Sequence, residues 1–171
     1  MKLKTRDVVY IAMYAAMYVV LDFITNSISL FALPQGGKLG LGTIAILLAT
    51  YHLGWKKGLL TCVVTLILMY VTGSMNWYGQ IVSLFLDYIF AYLGYGFASI
   101  FPNIKWFFSG ILITSVFRFI CSTASGMICY GASLAASVAY QAGYMIPTCI
   151  LDLIMVPLIY QALQPVIKKD K

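Results

Sequence analysis

From Val8 to Phe31 the chain carries a single charge, Asp22. A transmembrane helix needs about 20 mostly apolar residues, within a range of about 17–25, and this run supplies them. It follows Lys2, Lys4 and Arg6 as a secretory signal would. Because it continues to Phe31 without a small-x-small cleavage site, it reads as a retained helix. The pattern then repeats, and breaks divide the chain into six apolar segments at approximately 8–31, 39–54, 58–73, 79–101, 106–128 and 137–164. The second and third are short, with the break between them running from His52 to Gly58. The expected fold is an all-α integral membrane protein: a six-transmembrane-helix bundle in which residues 1–171 form a single membrane domain.

The positions of the basic residues set the orientation. With a cytoplasmic N-terminus, the inner side holds Lys2, Lys4, Arg6, Lys56, Lys57, Lys105, Lys168, Lys169 and Lys171, while the outer loops hold only Lys38. Cytoplasmic loops carry the excess of Lys and Arg, so this segregation places both termini in the cytoplasm and supports the six-helix count. The net charge of +6 therefore reflects topology. No basic patch with interleaved aromatics on a soluble surface suggests nucleic acid. The chain is 62% hydrophobic and 9% charged throughout, against about 45–50% and about 25% in soluble domains, which leaves no separate aqueous enzyme domain.

The expected chemistry is binding, not catalysis. No Walker A loop, dinucleotide fingerprint, H-E-x-x-H or nucleophile elbow is present, so a self-contained ATP-driven pump is excluded and no catalytic residue or cofactor is assigned. Cys62, Cys121, Cys129 and Cys149 lack C-x-x-C spacing and read as small core residues. The single histidine, His52, reads as an interfacial residue, and no metal site is indicated.

Four charges lie within apolar helix: Asp22, Asp87, Arg118 and Asp152. A charge at the bilayer centre costs at least about 2.5–3.5 kcal/mol on insertion scales, so such groups face the bundle interior and pair or bind something. Depth along helices four and five brings Asp87 and Arg118 toward one outer cavity. Two readings stand for them: an ion pair that fixes helix register, or a counter-ion for a cationic or amine-bearing ligand with Arg118 orienting it. Asp22 and Asp152 have no complementary charge assignable from sequence and read as structural hydrogen-bonding residues. Trp77, Tyr88, Tyr130 and Tyr144 lie at similar depth with the polar Ser122 and Gln141. An apolar pocket with a few convergent polar groups is the usual form of a small-molecule site, and flat aromatic walls suit a flat, cationic heterocycle.

Pro34, Gln35, Gly36 and Gly37 interrupt the chain on the outer side and read either as a connector or as a lid over an outward-facing pocket. Ala12 and Ala16 stand at helix-contact spacing on the first helix. They serve internal packing or form a docking stripe for another membrane protein.

Several stretches resemble a known family: Leu33 to Gly37, the apolar run after it with Gly54 and Gly58, "FLDYIFAYLGYGFASIF" from Phe85 to Phe101, and "AYQAGYMIP" from Ala139 to Pro147. Together with Ala12-x-x-x-Ala16 they resemble the substrate-binding S components of energy-coupling factor vitamin transporters, the thiamine-specific ones above all. The resemblance implies a bacterial, multi-pass plasma-membrane protein that captures thiamine from outside, with Pro34 to Gly37 as the lid. It also implies two kinds of partner, a transmembrane coupling subunit (EcfT) contacting Ala12 and Ala16, and two cytoplasmic ATPases whose ATP hydrolysis drives toppling. Asp87 takes the place of a carboxylate facing the vitamin, where the family usually has Glu, with Tyr88 as its aromatic neighbour. Arg118 takes that of a basic residue on helix five, Tyr130 that of a stacking tryptophan, Gln141 that of an amide, and Ser122 that of a histidine. Hydroxymethylpyrimidine or pyridoxine as ligand, a purely structural membrane protein and a stand-alone carrier remain the alternatives.

Overall fold

The computed structural model describes residues 3–28, 33, 37–75, 78–104 and 106–169. They form α1 (Thr5–Ile28), α2 (Gly42–Leu53), α3 (Trp55–Val71), α4 (Ile81–Ile100), α5 (Ser109–Tyr130) and α6 (Leu134–Lys169). A two-stranded antiparallel ribbon, β1 (Asn103–Ile104) and β2 (Phe107–Phe108), joins α4 to α5. Four helices, namely α1, α4, α5 and α6 as far as Pro165, are long and apolar enough to cross a membrane. At a rise of about 1.5 Å per residue, the 12 residues of α2 are too short to cross a core of about 30 Å alone.

Sequence accounts for the position of α2. Every residue from Gly42 to Tyr51 is buried, as expected of a helix that is apolar around its whole circumference. It packs against α1, α3 and α6, and Ile46, Leu47 and Leu48 form the middle of the core with Tyr14, Tyr18 and Tyr95. The expected break from His52 to Gly58 shrinks to a single residue. Gly54 adopts φ 82° and its N–H bonds to the Thr50 carbonyl, so the chain reverses at once and Trp55 already begins α3. A left-handed turn of this kind favours glycine. Gly58 then lies against Thr50, where a Cβ would sit 2.9 Å from the Thr50 Cα.

α4 is not uniform. Its first turn, Ile81–Ser83, is α-helical, Leu84–Phe90 is π-helical, and Ala91–Tyr95 returns to α. Single π-turns within helices often mark functional sites. In an α-helix, adjacent side chains project about 100° apart, and the wider π-turn narrows that angle at Asp87 and Tyr88.

At one end of the bundle, Lys57 pairs with Asp7 at 2.7 Å. There His52 is half-buried, with its Nδ1 2.9 Å from the Tyr14 hydroxyl and its ring edge-on to Tyr10. At this end of the bundle its ring bridges α2 to α1. The cysteines are free, with Cys62 and Cys121 buried and Cys129 and Cys149 half-buried. The cavity described next lies at the opposite end.

Candidate functional site

The ends of α3, α4, α5 and α6 and the first loop enclose a cavity of about 340 Å³, a size typical of small-molecule sites, about 300–1,000 Å³. α4 contributes Asp87 and Tyr88, α5 contributes Arg118, Ser122 and Tyr130, and α6 contributes Gln141 and Tyr144. Gly37, from the expected lid, also lines it. Pro34, Gln35, Gly36 and Trp77 lie outside the described residues. Ala12 and Ala16 are exposed on α1 and away from the cavity, so internal packing does not use them.

The structure does not form the Asp87–Arg118 ion pair entertained from the sequence. The Asp87 carboxylate instead accepts hydrogen bonds at Oδ2 from the hydroxyls of Ser83, at 2.9 Å, and Ser125. The Arg118 guanidinium carbon lies 4.8 Å from the centre of the Tyr92 ring and 5.8 Å from that of Tyr95, and its Nη1 is 3.4 Å from the Tyr95 hydroxyl. Its Nε is buried without a hydrogen-bond partner among the described residues. Aromatic faces attract a guanidinium through the ring quadrupole, which is why this cation turns toward α4's tyrosines in place of the carboxylate. Two opposite charges thus line one cavity without neutralising each other.

Aromatic rings complete the wall. Tyr88 and Tyr92 stack nearly parallel, 6° apart at 6.3 Å, and the Tyr92 hydroxyl accepts from Tyr18 of α1 at 3.0 Å. The Tyr130 ring stands edge-on to Tyr78. Gln141 is anchored by donating to the Ser122 carbonyl at 3.1 Å, and its own carbonyl accepts from the Tyr144 hydroxyl. The first loop is strapped along α6: the Gly37 N–H donates to the Tyr140 hydroxyl at 2.8 Å and the Gly40 N–H to Thr148 Oγ1 at 2.9 Å.

The structure supplies Asp22 with the counter-charge that sequence could not assign. Lys38 lies 2.8 Å from its Oδ1 and also donates to Asn26 at 2.8 Å, tying the first loop to the end of α1. Asp152 is wholly buried, and both its oxygens lie within hydrogen-bond distance of the Thr43 hydroxyl.

Sequence reasoning omitted Tyr92, Lys38 and Ser137 from the site, although all three line the cavity, as does Tyr140, which precedes the expected Gln141. Tyr92 was within reach, because it stands four residues after Tyr88 and so shares its helix face. Lys38 was also within reach, because it directly follows Gly37 of the expected lid, whereas its pairing with Asp22 is a tertiary fact.

Apolar helices enclosing a polar, aromatic-walled cavity at one end define a multi-pass membrane protein with room for a small solute. The chain belongs to the thiamine transporter protein family (Thia_YuaJ), whose model matches residues 8–168. That family consists of plasma-membrane transporters, not enzymes. The chain is 27% identical over 182 residues to the thiamine transporter ThiT of Bacillus subtilis (strain 168), across 94% of this chain and 93% of that protein. A solved structure of ThiT from Listeria monocytogenes superposes with a TM-score of 0.76 at 16% identity, covering 94% of this chain and 96% of that one, a likeness of fold.

Proposed function

We propose that this chain is the substrate-binding S component of an energy-coupling factor importer and that its cavity captures thiamine from the extracellular side. The observation that carries this reading is an unneutralised carboxylate, Asp87, set beside the parallel Tyr88 and Tyr92 rings in a cavity of about 340 Å³, in a family of thiamine transporters. Thiamine offers a cation for the carboxylate and two flat rings for the tyrosines. Gln141, Ser122, Tyr130 and Tyr144 supply polar and aromatic contacts around it. In this reading Trp77 joins the wall, Arg118 supports it, and Pro34 to Gly37 close over the ligand.

The same reading makes residues 1–171 one membrane domain of six spans with cytoplasmic termini, the count completed by α3 and by α2 together with the stretch from Gly37 to Leu41 that leads into it along α6. The segregation of basic residues supports that orientation. The exposed Ala12 and Ala16 offer a close-approach face for a transmembrane coupling subunit, and two cytoplasmic ATPases supply the energy for toppling. Titration of the purified chain in detergent with thiamine, hydroxymethylpyrimidine and pyridoxine tests the ligand: thiamine binds tightest, and equal or stronger binding of either competitor overturns the assignment. Liposomes holding the chain alone take up no thiamine, and uptake appears only when the coupling subunit and ATPases are added.

A further inference from the structure

Ser83 and Ser125 grip the Asp87 side chain from two helices. Both serines are wholly buried, and neither lines the cavity. Both hydroxyls donate to one oxygen, Oδ2: Ser83 from one turn earlier on α4, at 2.9 Å, and Ser125 from across the interface on α5. A hydroxyl has one hydrogen to give. Since that of Ser83 goes to Asp87, the Tyr130 hydroxyl, 3.3 Å from Ser83 Oγ, is the donor in their contact. Donation therefore runs from Tyr130 to Ser83 to Asp87, with Ser125 completing the grip. Oδ2 is saturated, whereas Oδ1 takes no hydrogen bond among the described residues.

We propose that Ser83 and Ser125 are positioning residues for ligand binding: they fix Asp87 so that Oδ1 alone faces the cavity and selects a ligand bringing a positive charge or an N–H to that one point. This rests on the reading of the cavity as a thiamine site. A carboxylate held by two donors loses little rotational freedom when a ligand arrives, and such preorganisation is where affinity is gained. It also explains how the charge remains in place with Arg118 turned to Tyr92 and Tyr95. Neither serine reaches the cavity, so the effect of Ser125 on binding passes through Asp87, and that of Ser83 through Asp87 and its contact with Tyr130.

The test uses the full chain in detergent and two readouts. Infrared difference spectra without ligand identify the Asp87 carboxylate band by its loss in Asp87→Asn, and that band shifts in Ser83→Ala and in Ser125→Ala. Titrations then compare thiamine with an uncharged isostere in which carbon replaces the thiazolium nitrogen. Each alanine variant loses about tenfold of its preference for the charged ligand, the scale of one hydrogen bond to a charged group, while affinity for the neutral one changes less than about threefold. Ser125→Thr, which keeps the hydroxyl, restores the preference. An unmoved infrared band, equal loss for both ligands, or a Ser125→Thr variant as impaired as Ser125→Ala overturns the proposal. A wild-type chain that binds neither ligand refutes the thiamine reading, and the infrared band alone then decides the positioning role.

Discussion

The Arg118 guanidinium lies 4.8 Å from the centre of the Tyr92 ring, and Tyr92 in turn stacks on Tyr88. A half-buried cation that itself lines the cavity therefore braces the aromatic wall. Lysine cannot reproduce a planar group against two rings, so Arg118→Lys lowers stability by about 1–2 kcal/mol, read as a fall in the detergent unfolding temperature. A double-mutant cycle with Tyr92→Leu gives a coupling energy of at least about 0.5 kcal/mol. Strict additivity would show that the stacking carries no energy.

Asp87 lines the cavity with one oxygen uncommitted. On the proposed function, Asp87→Asn keeps the shape and removes the charge, and thiamine affinity falls more than about tenfold, or 1.4 kcal/mol. Isothermal titration measures this. Unchanged affinity with unchanged thermal stability would remove Asp87 from the site.

Gly37 is pressed against α6: a Cβ there would meet the Tyr140 hydroxyl at 2.7 Å and Tyr144 Cδ1 at 3.0 Å, and its N–H already donates to Tyr140. Gly37→Val forces the loop away from the cavity, whereas Tyr140→Phe removes only the hydrogen bond, worth about 0.5–1.5 kcal/mol. Stopped-flow measurement of thiamine release gives a faster off-rate in both, larger for Gly37→Val. Equal rates in wild type and Gly37→Val would mean that the loop does not retain the ligand.

The features legible in the sequence were those with a large energetic penalty behind them. Asp87 and Arg118 stood out because charges in hydrocarbon demand a reason, and both line the cavity. Their relationship was not legible: helix depth brought them together, but which neighbours each would choose depended on Ser125 and Tyr95, set by side-chain packing across helices. The π-turn of α4 was equally hidden, because "LFLDYIF" reads the same in either helical winding. Gly54 appeared as the centre of a long break, and only its φ of 82° shows that one residue suffices. Lys38 reads from sequence as the sole cation of the outer loops, and its pairing with Asp22 depends on packing that sequence does not show.

Thr43 and Asp152 form a buried polar contact that joins α2 to α6. Asp152 is wholly buried, and its oxygens lie 2.9 Å and 2.8 Å from Thr43 Oγ1, which also contacts the Gly40 carbonyl. A buried polar group stripped of its partner costs about 1–3 kcal/mol, and more if charged. Thr43→Val keeps the side-chain shape and strands Asp152, so it destabilises the chain by that amount. Asp152→Asn keeps a group able to bond to Thr43 and costs less. Unfolding of the two single variants and the Thr43→Val/Asp152→Leu pair separates the contributions: the apolar pair recovers part of the loss from Thr43→Val, because no buried polar atom then remains unpartnered there. A double variant less stable than Thr43→Val alone would mean that the contact itself, and not its satisfaction, holds α2 against α6.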